Sequence, residues 1–415
     1  MRAVTAIGAV VIILGLSGVA FFAISGGLGS AGSLSVRWVS DTAQPGQPNH
    51  HAPAAGTVDG MGMVYAPVSA TGDGQCNLVG LYSENGSSSW NYPIPQANCT
   101  LHSIADPAFA DHDDDGIKEV FVATTEQAVI GFHPLSGAVE FRQNLSSYGY
   151  TRPLVTDFSG GNEKEIIVVD VKGTVFVFRP NGTVAWKRQL STYTWGQPRV
   201  ADFNGDGEEE LAVGLGGSGE LYLFNPDGSV VWNRSSLVDG SITWMTTGQA
   251  DADDSVEIAL AGQDGVVAMI EGRDGSVQWR RDLGTLAAVH AFGDGDEDGE
   301  TELYAVAADG VLRSYTANNG TEEWRTTLTE ENVQMTPPPS LGDIDGDGEP
   351  ELVAVTNNGI VSVVDPRTGD VLDSYRREVP IWVHPTLADV TGDGIPEVFV
   401  IYGDGRVVSF QYTDD

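Results

Sequence analysis

Five short segments of this chain carry the same oxygen donors at the same intervals. They hold Asp111, Asp113, Asp115 and Glu119; Asp202, Asn204, Asp206 and Glu210; Asp294, Asp296, Asp298 and Glu302; Asp343, Asp345, Asp347 and Glu351; and Asp389, Thr391, Asp393 and Glu397. In each, the donors stand at positions one, three, five and nine of an acidic loop, with glycine at six. Those side chains, with a backbone carbonyl near position seven, place hard oxygen ligands around one point, while the glycine permits a sharp turn. The set suits calcium, which takes about six to eight oxygens in forgiving geometry. Acidity alone would scatter carboxylates instead of holding one spacing five times. The expected role is structural, because several carboxylates on one loop repel each other unless a cation sits between them.

Three further copies look degraded. Asp157 is followed by Ser159, Gly161 and Glu165, and the loops at Thr71 and Asp251 read as two residues short. With these included, the copies start at Thr71, Asp111, Asp157, Asp202, Asp251, Asp294, Asp343 and Asp389, spaced 40 to 49 residues apart. That period fits a four-stranded propeller blade. Within a copy the apolar residues alternate by two, as in Glu220 to Phe224 and Ser229 to Trp232, separated by the turn Asn225 to Gly228. This is strand, turn, strand, with proline and glycine at the breaks.

Two regularities set the register. Pro67, Pro107, Pro153, Pro198, Pro339 and Pro385 each stand four residues before a loop marker, where a strand start needs no ladder donor. Phe141, Trp186, Trp232, Trp279 and Trp324 follow their markers by 28 to 30 residues and are expected to pack between neighbouring blades. The last copy stops before its fourth strand, and residues 33–40, SLSVRWVS, resemble the fourth strands of other copies. The expectation is therefore an all-β, closed β-propeller of four-stranded blades over 33–415. Residues 33–40, with Trp38 at the aromatic place, close the last blade, and 41–56 form a flexible connector that includes His50 and His51. Eight blades is the natural count. Seven stays open because the first copy is irregular and Trp90 lies out of register.

The acidic loop resembles the FG-GAP repeat of integrin α-subunit propellers, and the second half of each copy, as in LYLFNPDGSVVW, resembles the pyrroloquinoline-quinone-type repeat propellers. The resemblance covers nearly everything after residue 33. Such propellers serve adhesion, assembly and catalysis alike, so it carries the fold further than the function. It implies a surface platform for a protein or glycan ligand, with envelope-protein assembly as an alternative. A quinone-dependent dehydrogenase or a polysaccharide-cleaving enzyme is the third reading. The adjacent cysteines of the quinone enzymes are absent, since Cys76 and Cys99 stand 23 residues apart.

Acidic residues number 58 against 21 basic, a net charge of −37. The five full loops hold 24 of the acids, which leaves a clear excess elsewhere. Surface carboxylate with few lysines keeps a protein soluble in strong salt, and the expectation is a surface protein of the haloarchaeal type. Nucleic acid is excluded as a partner, because phosphate binding needs a basic face. Ala3 to Ile24 is uncharged and long enough to cross a bilayer, so residues 1–32 are expected to form a membrane anchor and short linker. The membrane is then a partner, and the propeller lies outside the cell on a single-pass anchor. Cys76 and Cys99, the only cysteines, suit a disulfide in an exported protein. Glycosylation sequons stand at Asn85, Asn98, Asn144, Asn181, Asn233 and Asn319. Gly214 to Gly219 matches a dinucleotide fingerprint, but a strand follows it instead of a helix, so it reads as a turn. No catalytic constellation is evident, and the chain reads as a non-enzyme.

Overall fold

The structure, a computed structural model, describes residues 32–46 and 49–413. It consists of eight four-stranded antiparallel sheets. Seven are built from consecutive strands. The eighth takes its outer strand, Ser33–Val39, from the other end of the chain, where it pairs with Val407–Thr413. Pairing the two ends removes an open sheet edge that one end alone would leave. The expected membrane anchor lies outside the described residues, and among those described no helix is long and apolar enough to cross a membrane.

The second strand of each blade explains the packing. Glu165–Val169, Glu210–Gly214, Glu257–Gly262 and Glu302–Val306 are buried along their whole length. Successive side chains point to opposite faces, so such a strand feeds two interfaces. Ile166 and Val168 of the third blade pack against Phe121, Ala123 and Phe141 of the second. Ile167 and Val169 join Leu211, Val213 and Phe224 of the fourth. The near-continuous apolar runs in the sequence are this double burial.

Tryptophans lock each blade to the next. The indole N–H groups of Trp38, Trp90, Trp186, Trp232, Trp279 and Trp324 donate at 2.6–2.8 Å to the carbonyls of Ser83, Pro134, Pro226, Gly272, Ala317 and Pro366. Each acceptor lies in the turn before the fourth strand of the following blade, and the contact of Trp38 with Ser83 joins the eighth blade to the first. The rings need a glycine beneath them. A Cβ on Gly320, already at φ 65°, would stand 2.6 Å from Trp279. Phe141 fills the place in the second blade. Asp373 fills it in the seventh, where its carboxylate accepts from the N–H of Leu34 in the closing strand at 2.7 Å.

The first blade corrects the sequence register. Its innermost strand is Ala54–Val58, and the chain returns through Asp59 and Gly60, both at positive φ, into Met61–Val68. The Thr71 segment therefore joins the second and third strands, at the end of the blade opposite the acidic loops. Trp90 is in register after all, and Pro53, not Pro67, is the proline before the innermost strand. A Gly72–Asp73–Gly74 turn at the wrong end of the blade had concealed a two-residue hairpin.

The connector also differs from expectation. Asn49 is buried; its amide donates to the Gly403 carbonyl at 2.9 Å and its oxygen accepts from the Ser69 N–H at 2.7 Å. His51 is 2% exposed, and from Ala54 the segment is strand. Composition suggested a loose tether, but Asn49 is held by the first and eighth blades and His51 by Asp106, in the connection to the second.

Candidate functional site

The acidic loops all leave the innermost strand and enter the second strand of a blade, so they share one face of the ring with the turns between strands three and four. Position nine is the first residue of the second strand, and strand pairing carries that glutamate inward. Glu119, Glu210, Glu302 and Glu351 are all buried. In the five full loops the position-nine carboxylate accepts from the backbone N–H of position two at 2.8–3.1 Å. The position-one carboxylate accepts from the N–H of the glycine at six at 2.9–3.1 Å. That glycine, at φ 90–95° in all five, holds a conformation other residues rarely adopt.

Not every loop gathers its donors alike. Carboxylate oxygens of Asp111, Asp113 and Asp115 lie within 4.8 Å of one another, as do those of Asp343, Asp345 and Asp347 and those of Asp294, Asp296 and Glu302. In the fourth blade the Asn204 amide donates to Asp206 at 3.0 Å and to Glu210 at 2.6 Å, which partly offsets their repulsion. In the eighth, Arg37 of the closing strand pairs with Glu397 at 2.6 Å. That loop already has a cation, supplied by the far end of the chain. In the second blade His112 bonds Glu119 at 2.6 Å. Burial opposes charge on this imidazole, but Glu119, Asp113 and Asp111 outweigh it and raise its pKa.

The loop at Asp251 was misjudged from sequence. Aligned on Glu257, which accepts from the Ala250 N–H at 2.6 Å, it begins at Gln249 and has full length. Asp251 and Asp253 take the third and fifth positions and meet Glu271 from the next turn within 4.8 Å. A glutamine at position one had hidden the frame.

Several of these oxygens lack partners. Glu302 Oε1, Glu257 Oε1, Gln278 Oε1 and Asp111 Oδ1 are buried without a hydrogen bond. Burial first, then neighbouring carboxylates, pushes Glu210, Glu257 and Glu302 up to about 7 and Glu351 up to about 8. A buried carboxylate among carboxylates, with an oxygen left over, has the donor chemistry of a hard-cation site.

The opposite face carries different chemistry. The Cys76–Cys99 disulfide ties two loops of the first blade there. Near the axis His50 stacks on Trp382 at 4.6 Å, and His51, His102 and Tyr150 pack edge to face or tilted around them. Burial, then His51, holds the His50 imidazole down to about 4. Beside this cluster an axial cavity of about 640 Å³ runs along the innermost strands, lined by Asp106, Arg152, Gln197, Arg199, His290 and His384 among others. Sequence reading missed these residues. Their signal was present: Asp106, Arg152, Gln197 and His384 each directly precede a strand-start proline. Of the sequon asparagines, Asn85, Asn144, Asn181, Asn233 and Asn319 are exposed. Asn98 is half-buried, and its amide donates to the Thr125 carbonyl.

A repeat-family profile described as outer membrane protein assembly factor BamB matches residues 115–240 and 218–414. No curated protein matches the chain. Among solved structures, BamB from Moraxella catarrhalis is 14% identical with a TM-score of 0.60, over 94% of this chain and 100% of that one. The V. cholerae biofilm matrix protein Bap1 is 13% identical with a TM-score of 0.70, over 92% and 91%. The quinohemoprotein alcohol dehydrogenase from Comamonas testosteroni is 12% identical with a TM-score of 0.64, over 91% and 76%. At such identities the likeness is one of fold.

Proposed function

The chain belongs to the repeat family described as outer membrane protein assembly factor BamB, and from that premise we propose that it is a non-catalytic, protein-docking propeller of a cell envelope. In this reading the N-terminal apolar stretch holds it outside the membrane, and calcium in the acidic loops stiffens the blades. The observation that carries the docking role is the placement of Leu101, Tyr148 and Trp195. These exposed side chains, 38–41% open, stand in the three successive connections that lead into the second, third and fourth blades. Leu101 and Tyr148 line one shallow depression. Large apolar groups concentrated on one face mark an interaction surface, with aromatics as anchors. Most other exposed apolar residues, such as Val139, Val184, Val230, Val277 and Val371, begin outer strands around the rim.

Calcium is supported by the donor set. Asp111, Asp113 and Asp115, Asp294, Asp296 and Glu302, and Asp343, Asp345 and Asp347 would hold it, and the unpartnered Glu302 oxygen would complete its shell. The Arg37–Glu397 pair makes the eighth loop the poorest candidate. The partner is another envelope protein, as the family description suggests. A glycan, and with it surface adhesion, is the second reading, because Trp195 packs beside Tyr193 at 5.0 Å in a pair that suits a sugar face. A pull-down with the full-length chain tests the proposal. Capture of an envelope protein that is lost in a Tyr148→Ala, Trp195→Ala variant of unchanged melting temperature is the expected result. Capture that survives the double substitution would overturn it.

A further inference from the structure

We propose that the axial channel is a binding site for a small divalent oxyanion, a dicarboxylate or a phosphate- or sulfate-like group, held between Arg152 and Arg199. The inference stands apart from the docking face and does not depend on it. Both arginines line the 640 Å³ cavity, and among the described residues neither forms an ion pair. Lys118, also without an ion pair, lines the same cavity. Ten of the twenty described basic side chains form no ion pair, and what distinguishes these three is that one cavity gathers them.

The one carboxylate deep in the channel is already engaged. Asp106 is held by His51 at 2.8 Å and by the Ala52 N–H at 3.1 Å, with the Gln197 amide at 3.4 Å. Gln197 in turn accepts from the backbone N–H of Arg152 at 2.7 Å, which anchors the main chain and leaves the guanidinium to the channel. The Arg199 guanidinium donates to the Pro198 carbonyl at 3.3 Å and, among the described residues, forms no ion pair. Asp389, at the cavity's other end, is occupied by the N–H groups of its own loop.

His290 and His384 stack at 4.1 Å and burial lowers the pKa of both, so they add no charge to the wall; the His384 Nδ1–H donates to the Pro385 carbonyl at 2.9 Å, and His290 bonds the Pro339 backbone. Burial, then the neighbouring Arg152, lowers the Arg199 guanidinium to about 10, and Asp106 opposes the shift. Arg152 is exposed and Arg199 part-buried, so two like charges face one cavity and repel each other at a cost. A divalent oxyanion offsets that cost and can accept a forked pair of hydrogen bonds from each.

Isothermal titration of the full-length chain with sodium sulfate and, separately, sodium succinate tests the site at fixed ionic strength. Neither probe strips calcium from the loops as citrate would. One saturable site per chain is expected. Preference for sulfate marks a phosphate- or sulfate-like ligand, and preference for succinate marks a dicarboxylate. Arg152→Gln and Arg199→Gln should each weaken binding by about tenfold or more, whereas Arg152→Lys should retain part of it. Should the glutamine variants fail to fold, selenate soaked into crystals of the unaltered protein should give an anomalous peak between the two guanidiniums. No saturable binding of either probe, binding untouched in folded glutamine variants, or no selenate peak would each overturn the assignment.

Discussion

The two faces of this ring are built on different principles. The face of the acidic loops repeats one device blade after blade: a carboxylate that takes the N–H of a glycine, and a glutamate carried inward by the strand that follows. The other face repeats nothing closely. Its connections vary in length, and they hold the disulfide, the stacked histidines and the exposed Tyr148 and Trp195. A repeated loop is bound to its backbone frame, so it can serve stability everywhere and specificity nowhere. Irregular connections are free to differ, and a partner can be told apart only where the copies differ.

The contrast can be tested first by removing cations. Chelation should lower the melting temperature by about 10 °C or more, since each saturated site contributes roughly 3 kcal/mol, and calorimetry with calcium restored would show the reversal. Glu302→Gln should shrink that calcium effect while Glu397→Gln, whose partner is Arg37, should leave it nearly intact. Equal responses would mean that the loops are alike and that the Arg37 pair is immaterial.

Next in size is the lock between blades, which belongs to the repeated side of the comparison. Trp279→Ala removes a buried ring and its bond to Ala317 and should cost about 3–5 kcal/mol in chemical denaturation. On the irregular face, reducing the Cys76–Cys99 bridge should cost about 3 kcal/mol, read as a lower denaturation midpoint. That loss should be independent of calcium, because the bridge ties loops at the end of the blade away from the acidic face.

The smallest effect expected is the pH dependence of the axial cluster, opposite in sign to that of the raised loop glutamates and therefore read as the difference between the unaltered chain and a His50 variant. His50 is held at about 4 in the folded chain against an ordinary 6.5, so the unfolded chain takes up its proton first as pH falls. Its contribution is complete above about 6.5 and is lost progressively down to about 4. Denaturation curves from pH 7 to 4 should lose this slope in His50→Gln. An unchanged slope would place the titration elsewhere.

Much of the fold was legible because repetition averages out local ambiguity. One acidic loop says little, but five with the same donors and the same glycine set a blade length, and the alternating runs then require a sheet. Registration failed where a single residue broke the pattern. Gln249 hid the true start of the fifth loop, and Asp59–Gly60 replaced the first loop altogether while the Gly72–Asp73–Gly74 turn imitated it. The supposed connector was misread for a related reason. Asn49 and His51 look like tether residues until the carbonyl of Gly403 and the carboxylate of Asp106, from remote parts of the chain, are brought to them.

By itself the sequence determined the class of fold, the blade period, the donor set of the loops and the aromatic place that joins neighbours, since each is a local pattern tied to backbone geometry. Tertiary structure alone decided which loops keep an unsatisfied carboxylate, because Arg37 reaches Glu397 only when the ring closes. It also decided that Arg152 and Arg199, 47 positions apart in the chain, face a common axis. Charge acts through space, and only closure of the ring sets the distances over which it acts.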